Sequence, residues 1–327
     1  MILHPQQMRT LCAVVAGPPL MPTFQCEARQ PLDKIVQDRQ KEHHSMMDKF
    51  DRVLQKMKRL ENSDYRTPLA MPAPFDGIWR QQIVEWMYTV INHCKLRHEA
   101  ATAAVFFLDS AVARGLIETA DNYQLGAMTA LYLGLKIFDS PSMRVVKLGS
   151  LVKLGNGDFG EADIVKMERQ MLKLFQWRMS PPTADCFVQI YLELLPKDID
   201  EAILKQIEKG ALEVIELGMA HDTTRASRPS IMGYAAMLAA LDQMPRNSIS
   251  IAQLREYLHA MERIAGLDNG NPTLHHISIA LDRIKHNSAT PETCQFEHTD
   301  DLSSESITSE KGCAVSSPSC IGSNRIQ

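Results

Sequence analysis

The chain of 327 residues is short of several things, and each shortage removes a class of protein. Aromatic residues make up only 6%. Methionine, alanine and leucine are plentiful instead, a mix that favours helix over sheet. No apolar run approaches the roughly 20 residues a helix needs to cross a bilayer, so no membrane partner is expected. Leu11 to Gly17 is a short apolar run with only Arg9 before it and Pro18-Pro19 directly behind, poor flanks for a secretory signal. Basic charge is not in excess: 35 Lys and Arg stand against 39 Asp and Glu, a formal charge of -4. A general nucleic-acid binder is usually basic, so none is expected. The cysteines Cys12, Cys26, Cys94, Cys186, Cys294, Cys313 and Cys320 form no Cys-x-x-Cys pair. Their odd number and irregular spacing read as reduced thiols of a nuclear or cytoplasmic protein, with Cys94 and Cys186 in apolar stretches that suit a core.

Catalytic signatures are missing too. Gly155-Asn156-Gly157 opens no phosphate-cradling loop after a strand, and there is no P-loop. His43-His44 and His275-His276 are adjacent pairs, whose side chains diverge on a helix and chelate poorly. No nucleophile has a base beside it in the sequence, which leaves only groupings made in space. The expectation is a protein that is not an enzyme, with no catalytic residue, no metal and no cofactor.

What is present is helical periodicity. Residues 1–45 carry several Pro and Gln without a period and read as a disordered arm. From Met46 to about Glu61 apolar residues fall at three- and four-residue steps. Pro68, Pro72 and Pro74 then break the pattern. A helix follows from about Gly77 to Lys95, with Trp79, Ile83, Trp86, Met87, Val90 and Ile91 on one broad face. The next runs from about His98 to Arg114 and stops at Gly115. A third, capped by Asp121, runs to about Phe138 and is apolar almost all round, which belongs at the centre of a bundle. Pro141 starts a short fourth helix to about Leu151, and a fifth covers about Glu161 to Gln176. Beyond Pro181-Pro182 a second series is expected at about 184–195, 199–219, 229–242, 250–264 and 273–286, again with a greasy third helix. From His286 to Glu310 polar and acidic residues dominate, so residues 287–327 read as a disordered acidic tail. The fold class is all-α.

Several residues sit where plain amphipathic helices do not require them. Arg80 and Trp86 lie on the first helix, Leu108-Asp109 on the second, and Gln124-Leu125 and Lys136 on the third. Asp158-Phe159, Met167-Glu168, Leu174-Phe175-Gln176-Trp177 and Pro182-Thr183 follow on and after the fifth. Their order and spacing over about a hundred residues resemble the cyclin box, with Phe159 for the usual Tyr and one spacing shift. The second half resembles the cyclin C-terminal domain more loosely, through Arg228-Pro229-Ser230.

The resemblance implies two tandem five-helix cyclin-fold bundles with a preceding helix: an N-terminal box at 46–180 and a C-terminal domain at 181–286. It implies a regulatory subunit that activates a PSTAIRE-type cyclin-dependent kinase in cell-cycle progression. Arg80 and Asp109 would be a structural ion pair, with two solvated surface charges as the plainer reading. Lys136 and Glu168 would face the kinase, one supplying donors and the other acceptors to its unpaired peptide groups. Trp79, Gln82, Ile83, Trp86 and Gln124 correspond to a groove in which many cyclins dock Arg-x-Leu motifs. Here Trp79 replaces a Met and Gln82 an apolar residue, so weakened docking is expected. Arg29-Gln30-Pro31-Leu32 resembles a destruction box. The Pro291-Glu292-Thr293 stretch and the acidic run after it resemble a turnover signal or a plain solubilising tail. A ubiquitin ligase is therefore a second expected partner. A TFIIB-like transcription factor and a helical scaffold without a kinase are the alternatives.

Overall fold

The computed structural model describes residues 48–66, 77–138, 148–154, 158–245, 248–268 and 270–288. The arm, Arg29 and Leu32, the start of the fourth helix at Pro141, the Gly155 turn and the tail lie outside the described residues. Those described are helical, with no strand among them. The helices are α1 (48–62), α2 (Gly77–His93), α3 (His98–Ala113), α4 (Ala120–Phe138), α5 (Leu148–Leu154) and α6 (Glu161–Leu174). Then come α7 (Ala184–Leu192), α8 (Glu201–Ala220), α9 (Asp222–Arg225), α10 (Pro229–Asp242), α11 (Ile251–Ala260) and α12 (Pro272–Ser288).

The ends follow local chemistry. After α3, Gly115 takes a left-handed φ of 71°; its N–H donates to Val112 O and that of Leu116 to Ala111 O, a Schellman closure. Asp121 was expected to cap α4 but lies inside its first turn. Thr119 caps instead, its hydroxyl oxygen accepting from Asn122 N at 3.3 Å. Asp200 caps α8, Pro229 opens α10, and Ser250 with Gln253 forms a capping box on α11. The helix expected over 250–264 is α for one part only, since Met261–Ala265 widens to a π-turn that ends at Gly266. The four-residue α9 was not anticipated.

The two all-round apolar helices are central. α4 packs on α2, α3, α5 and α6, and α10 packs on α7, α8 and α12. Each leans on a glycine. A Cβ on Gly134 would stand 2.2 Å from Ala100 O of α3, and one on Gly233 would stand 2.9 Å from Ala184 O of α7. Only hydrogen fits there, so the backbones approach as the small-residue composition suggested. The two series meet where α2 and α3 contact α8, and α3 contacts α7.

The end of α1 and the turn after it touch both series. Glu61 is buried, and its carboxylate accepts from Ser230 N at 2.9 Å and Ser230 Oγ at 2.6 Å at the start of α10. Lys58 donates to Ala265 O. Towards the first series, Asp64 pairs with Arg178 at 2.5 Å and the Tyr65 hydroxyl accepts from Ser180 N at 3.3 Å.

Candidate functional site

Arg80 belongs to α2 and is 1% exposed, so its charge must be answered inside the protein. Asp109 of α3 answers it as a fork: Arg80 Nε donates to Oδ1 at 3.0 Å and Nη2 to Oδ2 at 2.9 Å. The expected ion pair is therefore formed and buried, and the solvated-charge reading fails. Burial works against the guanidinium charge, but Asp109's attraction and hydrogen bonds outweigh it and push the Arg80 pKa above its ordinary value. The remaining nitrogen does what the sequence did not reveal. Nη1 donates to Met219 O at 2.9 Å and Ala220 O at 3.3 Å, two carbonyls at the open end of α8. Helix-end carbonyls lack partners within the helix and carry partial negative charge, so one cation serves a carboxylate and a helix terminus together.

Lys136, in the last turn of α4, and Glu168, on α6, are brought together. Nζ lies 2.5 Å from Glu168 Oε1 and 4.9 Å from the centre of the Tyr132 ring. The Lys136 side chain is 37% exposed and that of Glu168 12%. A lysine has three N–H donors and a carboxylate two oxygens, so this pairing leaves capacity on both groups.

The groove residues divide by burial. Ile83, Trp86 and Gln124 are buried, Trp79 is half-buried and Gln82 is exposed. The Trp86 indole N–H is buried and has no acceptor among the described residues. Along the open face of α2 run Ile78, Gln82, Glu85 and Thr89, with Gln81 Nε2 donating to Glu85 Oε1 at 2.8 Å. α2 and α4 are in contact, so Gln124 and the α2 residues sit on neighbouring helices.

One cluster was missed. His98, the first residue of α3, lies between Asp185 of α7 and Glu216 of α8. The available signal was Asp185 itself, an acid inside the apolar run Ala184–Leu192. Among the described residues no group of three His, Cys, Asp or Glu has the geometry for a metal, and no helix is long and apolar enough to cross a membrane. Burial pushes the Cys186 thiol up to about 12, which keeps it protonated at neutral pH.

Among the described residues the helices from α2 onward fall into two series built around small-residue central helices, the first fixed by a buried Arg–Asp fork. Residues 48–180 match the family model described as cyclin, N-terminal domain. Cyclin-B2-2 of Oryza sativa subsp. indica is 27% identical over 158 residues, covering 48% of this chain and 35% of that protein. G2/mitotic-specific cyclin-2 of Medicago sativa is 26% identical over 161 residues, 49% of this chain and 46% of the relative. The match thus spans about a third to a half of these relatives. The solved viral cyclin from Herpesvirus saimiri aligns at a TM-score of 0.56 and 15% identity, over 71% of this chain and 97% of that one, which shows a shared fold. Residues 48–180 are thus similar to cyclin N-terminal domains, and the fold is shared with the viral cyclin.

Proposed function

We propose that the chain is a regulatory subunit that binds and activates a cyclin-dependent protein kinase and is not itself an enzyme. The carrying observation is the Lys136–Glu168 pair, a lysine and a carboxylate held together at the surface of the first series with donor and acceptor capacity left over. In this reading the first series, 46–180, grips the kinase helix whose glutamate must swing inward to pair with the lysine on ATP. Activation is then a population shift, limited by how much better the subunit binds the active kinase than the inactive one. Residues 181–286 form a second domain that supports the first. A PSTAIRE-type kinase, a role in cell-cycle progression and a place in nucleus and cytoplasm complete the proposal. The test is capture of such a kinase by the full chain, followed by an activation assay. A Lys136→Ala/Glu168→Ala variant with an unchanged circular dichroism spectrum should lose activation. Full activation by that variant would remove the pair from the interface.

The face of α2 supports a second part of the proposal, a docking groove of reduced affinity for Arg-x-Leu motifs. Trp86 keeps a buried indole N–H without an acceptor among the described residues, which a peptide carbonyl would reach once the ring turns outward, and Trp79 offers apolar surface. Gln82 is exposed beside them, and its amide must be desolvated against an incoming leucine.

A further inference from the structure

We infer that His98, as an imidazolium, is a latch between the two helical series, fastening α3 to Asp185 of α7 and Glu216 of α8 and fixing the width of the cleft beside α8. Its Nδ1 lies 2.5 Å from Asp185 Oδ1, and its Nε2 lies 3.6 Å from Glu216 Oε2. Asn92 Nδ2 steadies the same Glu216 oxygen from α2 at 3.1 Å. The Tyr88 ring covers the imidazole at 4.7 Å between centres, and the Tyr88 hydroxyl is tied to Thr102 Oγ1 at 2.9 Å. Four elements of the two series therefore converge on one ring.

The placement needs the charge. His98 opens α3, and the start of a helix is its positive end, which disfavours a cation. Two carboxylates from other helices reverse that preference. Asp185 is 1% exposed, and its Oδ2 has no hydrogen-bond partner among the described residues, so the ring supplies most of what this acid receives. The other charges nearby are committed. On α3 Glu99 pairs with Arg97, and on α8 Lys205 pairs with Glu201, Lys209 with Glu213, and Glu208 accepts from Gln189. On α7 the Cys186 thiol beside Asp185 stays neutral. A neutral ring would leave Asp185 and Glu216 facing each other without a cation. Like charges then push Asp185 and Glu216 apart, and α8 loses its tie to α3 along a cleft of about 620 Å³ that His98, Asn92 and Leu96 line from one side and Lys209, Glu213 and Glu216 from the other.

The direction in pH follows. Burial alone would lower the His98 pKa, but the charge and hydrogen bond of Asp185 and the nearby Glu216 carboxylate raise it from 6.5 to about 9. A raised histidine pKa adds stability that is complete below 6.5 and is lost as pH rises through about 9. The latch is closed at neutral pH and opens in alkali.

The experiment is nuclear magnetic resonance of the full chain with labelled histidine, the His98 signal being assigned by its loss in His98→Gln. The wild-type ring should titrate near 9, a proton held roughly 300-fold more tightly than by a free imidazole. Asp185→Asn should bring that midpoint back towards 6.5, and Glu216→Gln should move it by less. Hydrogen exchange at the Glu216–Ala220 amides, corrected for intrinsic rates, should quicken about tenfold between pH 7 and pH 10 in the wild type. In His98→Gln it should be fast throughout. A wild-type midpoint at or below 7, or one that Asp185→Asn leaves unmoved, overturns the latch, as does exchange at those amides that ignores pH.

Discussion

Replacing Arg80 separates two roles that one side chain performs. Buried ion pairs are often matched or bettered by apolar residues of similar volume, because desolvation cancels much of their attraction. By that rule Arg80→Met/Asp109→Leu should be harmless. The structure says otherwise, because Arg80 Nη1 also serves Met219 O and Ala220 O at the end of α8. Taking away that donor leaves two helix-end carbonyls short of a partner, at about 1–3 kcal/mol for each group that stays buried. The double variant should therefore be less stable than wild type by about 2–4 kcal/mol. Arg80→Ala alone should cost more, about 3–5 kcal/mol, since it also strands the Asp109 carboxylate. Against a total stability of about 5–15 kcal/mol, that loss lowers the melting temperature by on the order of 10 °C. Urea unfolding followed by circular dichroism gives all the required values. A double variant as stable as wild type would refute the carbonyl role. An Arg80→Ala variant no worse than the double would refute the stranded charge.

Other outcomes follow from single contacts. Gly134→Ala drives a Cβ to 2.2 Å from Ala100 O and should cost about 1–3 kcal/mol or more in thermal unfolding. Gly210→Ala, whose Cβ would meet Ala240 only at 3.4 Å, should gain up to about 1 kcal/mol in the same assay. Glu61→Ala removes the acceptor of two Ser230 hydrogens and should cost about 1–3 kcal/mol, while Glu61→Gln keeps one acceptor and costs less. Burial raises the Glu61 pKa against the opposing bonds from Ser230, so this group's contribution is complete below its unfolded value of 4.5 and falls as pH rises through the folded one. Glu61→Gln should abolish that part of the pH dependence of stability. Gln82→Leu should tighten an Arg-x-Leu peptide about tenfold by fluorescence anisotropy, and Trp86→Phe should loosen it, having no N–H to offer.

The helices were legible where the sequence carries a local cause. Gly115 ends α3, Pro229 begins α10, and the apolar circumference of α4 puts it at the centre. The Arg80–Asp109 pair was legible because two charges stood in apolar surroundings and matched a family pattern. Asp121 misled because Asp and Thr both cap well and Thr119 lies two residues earlier, where its oxygen meets the Asn122 N–H. The π-turn at Met261–Ala265 has no periodic signature, since the buried Tyr257, Ala260, Met261, Ile264 and Ala265 keep the three- and four-residue steps of an α-helix. Long-range polar contacts were the blind spot. Glu61 and Ser230 are 169 residues apart, and His98 and Asp185 are 87 apart. Single-helix periodicity says nothing about which polar group another helix will present.

What those contacts share explains their placement. The end of α8 is held by two cations of the first series, Arg80 on its last carbonyls and His98 on Glu216. A helix end is the cheapest place to fasten a neighbour, because its carbonyls need donors from outside in any case. Both cations also reach an acid elsewhere, Asp109 or Asp185, so moving α8 disturbs a buried charge as well as a helix end. That coupling ties the arrangement of the two series to buried charges. It also gives the proposed kinase-facing pair a fixed support. Asp185→Asn touches neither Lys136 nor Glu168, yet by loosening α3 it should weaken kinase capture by the full chain while leaving helix content unchanged.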